Sequence, residues 1–315
     1  MKLKTLIQKY IVYGKAIGKK FSTHERHLKA FGIFVGNNAN IDDISSEKIT
    51  EFLYGNTEVT LLWFIKHSVL KGFYEYAIGR GYINSSPVPT VLPKKPRLFI
   101  PYIYSRMELK KIFKAALTYQ KRRSHVESFM IYSLLLVLYG TGMRIGEALS
   151  LTMADVDLNQ AVITVKEGKC YKSRLIPFGD QLSNVINAYF RWRSTKNFPQ
   201  NESASFFYGR RDKPLNLCTT QMIFRRICEI AGVKRADGGR FQPRLHDLRH
   251  TFAVHRLIHW YQNNADVQQL LPLLSTYMGH TCLSATSVYL TMTGDLLKEA
   301  GKRFEEYARG YHNEK

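Results

Sequence analysis

The 315-residue chain has only four cysteines, Cys170, Cys218, Cys228 and Cys282, and no two of them form a C-x-x-C pair. That scarcity argues against a cysteine-built zinc site and a disulfide framework, and a reduced, cytoplasmic protein is expected. Long apolar runs are missing as well. The longest nearly apolar run, Phe129 to Tyr139, is 11 residues and contains Ser133. A bilayer-spanning helix needs about 20 apolar residues, so this run predicts a core helix and no membrane anchor. The first residues scatter lysines among apolar positions and lack a small-residue cleavage site, so no secretory leader is expected. Acidic residues are few, 25 Asp and Glu against 46 Lys and Arg, giving a formal charge of +21. With 45% hydrophobic and 23% charged residues, the composition is otherwise that of a globular protein and excludes a disordered chain.

The surplus of positive charge is not a tail. Residues 1–100 hold 15 basic and 7 acidic residues, a net +8, which leaves +13 for the remainder. A charge of this size on an ordinary composition points to a polyanionic partner. Nucleic acid is favoured, because each phosphate neutralised by Lys or Arg releases counterions. An anionic membrane surface is the weaker alternative, since no basic amphipathic surface helix stands out.

Five of the ten prolines fall between Pro87 and Pro101. Proline fixes φ and disfavours helix in the residue before it, so this stretch predicts an extended linker. The expected organisation is a helical domain over 1–90, a Pro-rich basic linker over 91–102 and a second domain over 103–315. Lys94, Lys95 and Arg97 make the linker a candidate contact for a phosphate backbone. Apolar spacing of three and four residues predicts about four helices in the first domain, a small bundle. In the second, Ser105 to Glu108 has the capping-box pattern and predicts a helix through about Gln120. AVITV and KSRLIPF read as strands joined by a turn around Glu167–Tyr171, and QLSNVINAYFRWR, TTQMIFRRICEIAG and LRHTFAVHRLIHWYQ as helices. The predicted class is mainly α with a small antiparallel β-sheet, a helical bundle followed by an α+β domain.

Four places carry candidate chemistry. In TGMRIGEALSL, a glycine-flanked turn feeds a helix, with Arg144 near its start and Glu147 three residues on; a guanidinium steadied by a carboxylate suits bidentate phosphate recognition, although taken alone the pair reads as a helix salt bridge. Lys169 sits in the predicted hairpin turn with Lys166, Lys172 and Arg174 nearby, where basic residues meet solvent or phosphate; beside a leaving oxygen it is a candidate proton donor. In RLHDLRHTFA, the three-residue spacing puts His246 and Arg249 on one helical face. His250 makes an i, i+4 pair with His246, yet no glutamate follows as in zinc proteases and no third ligand is evident. Finally, MGH places His280 nine residues before Tyr289, with Thr286 between.

Together these segments resemble the tyrosine recombinase (phage integrase) family. The family order R, K, HxxR, H, Y is matched by Arg144, Lys169, His246, Arg249, His280 and Tyr289, with TGMRIGEALSL, HDLRHTFA and MGH close to its local text. The second domain is covered in full; the first domain and linker are similar in size and pattern to the family's core-binding, SAM-like helical bundle. The resemblance implies a Xer-like site-specific recombinase of the kind found on mobile elements. Its tyrosine hydroxyl attacks a DNA phosphodiester, leaving a 3′-phosphotyrosyl enzyme and a 5′-hydroxyl, without metal, ATP or other cofactor. By resemblance, Tyr289 is the nucleophile, Arg144 and Arg249 clamp the non-bridging oxygens and His280 adds a hydrogen bond. Lys169 protonates the leaving oxygen, His246 assists proton transfer at the tyrosine and Glu147 supports Arg144. Lys94, Lys95, Arg97, Lys172 and Arg174 are DNA-contact candidates. The implied partner is a double-stranded recombination site, bound as a homotetramer by a protein that is a monomer when free. A DNA-binding protein on the same fold without cleavage is the rival reading, followed by a topoisomerase-like activity and, remotely, a metal hydrolase. Two departures stand out: the stretch from Arg249 to His280 is longer than in compact members by about two helical turns of roughly 3.6 residues each, which predicts an extended helix or loop, and Thr291 stands where the family often has His.

Overall fold

The computed structural model describes the chain except residues 20, 56–57, 97–99, 120–125, 167–172, 210–212, 238–240, 292–293 and 314–315, and the side chains of 291, 295, 303 and 306–313. Its contacts divide it into two compact units, Met1–Leu98 and Phe99–Lys315.

Among its described residues the first unit holds four α-helices, α1 (Leu3–Ala16), α2 (Ser22–Val35), α3 (Ser46–Tyr54) and α4 (Leu61–Gly79), with a 3-10 turn (Ile41–Asp43) before α3. Each turns one apolar stripe inward, as the three- and four-residue spacing requires. Leu3, Leu6 and Ile7 of α1 meet Leu28 and Phe31 of α2, Ile49 and Leu53 of α3, and Leu70, Phe73 and Tyr74 of α4 in one core. The Ser45 hydroxyl accepts the Lys48 amide and starts α3. After α4 the chain runs without helix or strand among the described residues. It is tied back where the His67 ring pairs with the Pro89 carbonyl at 2.7 Å. Lys94 and Lys95 are exposed.

The second unit is built on α6 (Ser128–Thr141). This helix is apolar nearly all round, which is the signature of a helix covered on every side, and Met130, Ile131, Leu134, Leu135 and Leu138 are all buried. It is flanked by α5 (Arg106–Thr118), α8 (Asp180–Ser194) and α10 (Asp247–Gln262). The capping box at the start of α5 is present: the Ser105 hydroxyl accepts from the Glu108 amide, and the Glu108 carboxylate accepts from the Ser105 amide at 2.8 Å. A short α7 (Ile145–Ser150) leads to a three-stranded antiparallel sheet of β1 (Val156–Asp157), β2 (Val162–Val165) and β3 (Arg174–Pro177). Ile163 pairs with Ile176 and Val165 with Arg174, so alternate side chains of β2 enter the core. Helix α9 (Leu217–Ile230) closes the main core.

The long stretch after Arg249 is two helices. Helix α10 continues to Gln262, a turn with Asn264 at φ +53° reverses the chain, and α11 runs Val267–Met278. The Asp266 carboxylate caps α11 by accepting from the Gln268 and Gln269 amides. The short α12 (Ser284–Ser287), a 3-10 turn (Val288–Thr291) and α13 (Gly294–Asn313) follow. Phe252, Val254 and Leu257 of α10, Leu271, Leu274 and Met278 of α11, Tyr289 and Leu296 form a second, smaller core in this unit. Among the described residues, no helix is long and apolar enough to cross a membrane.

Candidate active site

Helix α6 stops at Gly142, in the left-handed region at φ +61°. A Cβ there would lie 2.3 Å from the Phe252 ring of α10, so conformation and space both demand glycine. The turn delivers Arg144 in extended conformation just ahead of α7. Glu147 reaches back and accepts from the Arg144 amide and from its Nη1, each at 2.8 Å.

Helix α11 ends in the same way. Gly279 is left-handed at φ +69°. Its amide donates to Thr276 O and the His280 amide to Ser275 O, both at 2.9 Å, which closes a Schellman-type cap. Three further carbonyls at this end have no amide left to satisfy them, and three arginines supply the donors. Arg174 Nε donates to Tyr277 O at 2.9 Å, Arg249 Nη2 to Met278 O at 2.7 Å and Arg144 Nη2 to Gly279 O at 2.9 Å. Arg249 Nη1 also donates to Gly142 O at 2.6 Å, bridging the ends of α6 and α11. The negative end of a helix dipole is a favourable place for cations, and here it sets the spacing of three guanidinium groups. Each guanidinium has five N–H donors, more than these bonds use.

The phenol of Tyr289 lies beside this hub, 3% exposed. Its hydroxyl pairs with His250 Nδ1 at 3.2 Å, and the His280 ring stacks against its ring with centroids 6.1 Å apart. His280 Nδ1 pairs with the buried Thr286 hydroxyl at 2.7 Å. His246, just ahead of α10, meets His250 edge-to-face at 5.0 Å. Burial, and then the charge of neighbouring His246, Arg244 and Arg249, depresses the His250 imidazole to about 3, so it is neutral near pH 7. His246 is shifted down by burial and by Arg249. Burial raises the Tyr289 phenol, and Arg249 and Arg144 oppose that rise. Arg249 is lowered by burial and by Arg144 to about 10 and stays charged. Burial penalises the Glu147 carboxylate, but hydrogen bonds from Arg174 and Arg144 outweigh it and hold the carboxyl at about 2.

Arg144, His246, Arg249, His280 and Tyr289 thus converge, with Glu147 behind Arg144. Lys169, Lys172 and Arg97 lie outside the described residues. Arg174 departs from its expected place on a DNA-facing hairpin. Its side chain is 10% exposed and turned inward, with Nη1 and Nη2 on the two Glu147 oxygens at 3.1 and 2.8 Å. The reason is register: Arg174 opens β3 opposite Val165 and beside the end of α11. His250 is the residue the sequence reading left out of the site. Its i, i+4 relation to His246 is visible in the sequence, but its contact with Tyr289 is not. Among the described residues, no three His, Cys, Asp or Glu side chains cluster as metal ligands.

The profile of the phage integrase family matches residues 105–294. The protein y4rB of Sinorhizobium fredii is 31% identical over 302 residues, covering 95% of this chain and 96% of its own length. Tyrosine recombinase XerC of Bacillus subtilis is 30% identical over 236 residues, 74% of this chain and 71% of the relative. Among solved structures, the Tn1549 transposon integrase in complex with transposon right end DNA has a TM-score of 0.70 at 17% identity, covering 98% of this chain and 100% of that one. A lambda integrase tetramer bound to a Holliday junction has a TM-score of 0.67 at 17% identity, covering 93% and 78%. At these identities the structural likeness speaks to the fold.

Proposed function

Because the chain belongs to the phage integrase family, the tyrosine recombinases, we propose that it is a site-specific DNA recombinase that cuts and rejoins duplex DNA through a phosphotyrosyl bond on Tyr289. The observation that carries this reading is the convergence of one phenol, two guanidinium groups and three imidazoles at the end of α11. The phenol oxygen attacks phosphorus, the bond to the 5′-oxygen breaks, and a 3′-phosphotyrosyl linkage forms, conserving the ester for religation. Arg144 and Arg249 neutralise the non-bridging oxygens as the phosphorus becomes five-coordinate, and His280 adds a donor. Lys169 supplies the proton for the departing 5′-oxygen, and His246 assists transfer of the phenol proton while the neutral His250 ring orients the hydroxyl. Fixed cations fill the place that divalent ions occupy in many nucleases, so no metal is required. The helical unit serves as the core-binding domain, Lys94, Lys95, Arg97 and Lys172 add phosphate contacts, and four protomers assemble on paired sites in a cytoplasmic setting.

The test uses a pool of nicked duplexes with a randomised centre, incubated with the protein in EDTA. A covalent protein–DNA adduct is expected, and the recovered DNA identifies the target. Tyr289→Phe abolishes the adduct and retains DNA binding. An adduct that persists in Tyr289→Phe refutes the nucleophile, and binding without any adduct from the natural chain favours a non-cleaving DNA-binding protein.

A further inference from the structure

We propose that Arg174 is a positioning residue for strand cleavage, acting through Glu147 on Arg144 and through the Tyr277 carbonyl on the segment that carries His280. The inference rests on the recombinase reading of the same site.

The argument starts from charge. Glu147 takes two hydrogen bonds from Arg144, one from the amide and one from the side chain. Alone, that carboxylate would pull the Arg144 guanidinium onto itself while its spare N–H donors still met a phosphate, so the loss would fall on placement rather than on binding. Arg174 adds a bidentate bond to the same carboxylate, and the trio carries one net positive charge. Both partners of the added pair are shielded, with side chains 10% and 8% exposed, so solvent and salt screen it little.

Geometry points the same way. The Arg174 plane is fixed on two sides, by Glu147 and by Tyr277 O. It also packs on the backbone at Gly279, where a Cβ would lie 2.8 Å from Nη1 and 2.9 Å from Cζ. Gly279 is therefore small for a second reason besides its φ: a guanidinium occupies the space of its side chain. One residue of β3 thereby sets where α7, which holds Arg144 through Glu147, stands relative to the end of α11, which presents His280. A lysine has a single ammonium and cannot keep both the carboxylate fork and the carbonyl contact. Misplacing a reacting group by about 1 Å costs on the order of 100-fold in rate.

The experiment measures DNA affinity, its salt dependence, and the adduct rate at saturating DNA, with duplex recovered from the nicked randomised pool. Arg174→Met is expected to lower the saturating rate by about 10- to 100-fold, with affinity within about threefold and the salt slope unchanged, as phosphate contacts are untouched. Arg174→Lys recovers only a small part of the rate. The double variant Arg174→Met, Glu147→Gln is slowed by less than the product of the two single effects, because the part of the Arg174 contribution that passes through Glu147 is already lost. A phosphate contact gives the opposite pattern: weaker binding, a salt slope smaller by about one and the full rate at saturation. That pattern overturns the proposal, as do additive effects in the double variant. Thermal melts accompany each variant, and loss of the fold in both Arg174→Met and Arg174→Lys reduces the residue to a structural part and also overturns it. No adduct from the natural chain removes the recombinase reading and this inference together; a normal rate in Arg174→Met removes this inference alone.

Discussion

Gly142 shows how tightly single residues are specified around the site. Its positive φ and the Phe252 ring 2.3 Å from a notional Cβ both oppose any side chain. Gly142→Ala is expected to destabilise the second unit by about 2–4 kcal/mol, combining backbone strain with overpacking, read as a shift in denaturation midpoint. The titrating groups give a second prediction at this scale. Glu147, held at about 2, contributes stability that is complete above its unfolded value of roughly 4.3 and is lost as pH falls towards 2. His250 acts over a higher range. Its imidazole is depressed to about 3, so below roughly pH 6.5 the unfolded chain takes up the proton first and stability declines as pH falls. Melting temperature should therefore drop from pH 7 to pH 5, and less steeply in His250→Asn. The Nε2 and Nδ1 nitrogen shifts of His250 should show no inflection between pH 5 and 8. Most of this residue-level site is visible in the sequence, because the family order and local text mark Arg144, His246, Arg249, His280 and Tyr289. Arg174 is marked there only as a DNA contact; its pairing with Glu147 is not visible, since the two lie 27 residues apart and only the paired strands bring them together.

At the scale of elements, the helices with a full apolar period were legible: α5, α6, α8, α9 and α10 follow the predicted segments, and the strands of β2 and β3 follow their alternation. Elements too short to show a period were not. Strand β1 has two residues, α12 has four, and α11 contains Pro272, which breaks the helical signal in the sequence. Arg193 illustrates a stabilising feature hidden in a helix that reads as ordinary. It is fully buried and donates to the Phe206, Pro199 and Ser205 carbonyls and to Gln200 Oε1, pinning the chain beyond α8. Arg193→Met should cost at least about 3 kcal/mol, because those acceptors are left unpaired in the interior. Ser105→Ala, which removes the capping box of α5, should cost only about 1 kcal/mol. Chemical denaturation of the two variants side by side tests that ranking.

For the whole molecule, the positive charge is shared between the units, net +8 over residues 1–100 and +13 over the rest. If both grip the duplex backbone, affinity should fall steeply with salt, log K against log salt having a slope of about −0.9 for each phosphate neutralised. Reversing the charge of the exposed Lys94 and Lys95 with glutamate should make that slope shallower and leave the saturating adduct rate intact, as titrations at several salt concentrations would show. The contact division between Leu98 and Phe99 falls inside the proline cluster, where each proline acts locally, on its own φ and on the residue before it. The second small core of the larger unit could not be anticipated, because its members Tyr289 and Leu296 are separated in sequence from the α10 side chains they cover.

The arginine-bound end of α11 also constrains how this protein can change in length. Tyr277, Met278 and Gly279 each answer a different guanidinium, and one residue added inside α11 would turn that end by about 100°, misaligning all three at once. Insertions and deletions should therefore be tolerated in the turn around Asn263–Ala265 and rejected between Val267 and Met278, a contrast that a scanning library of single-alanine insertions would reveal directly.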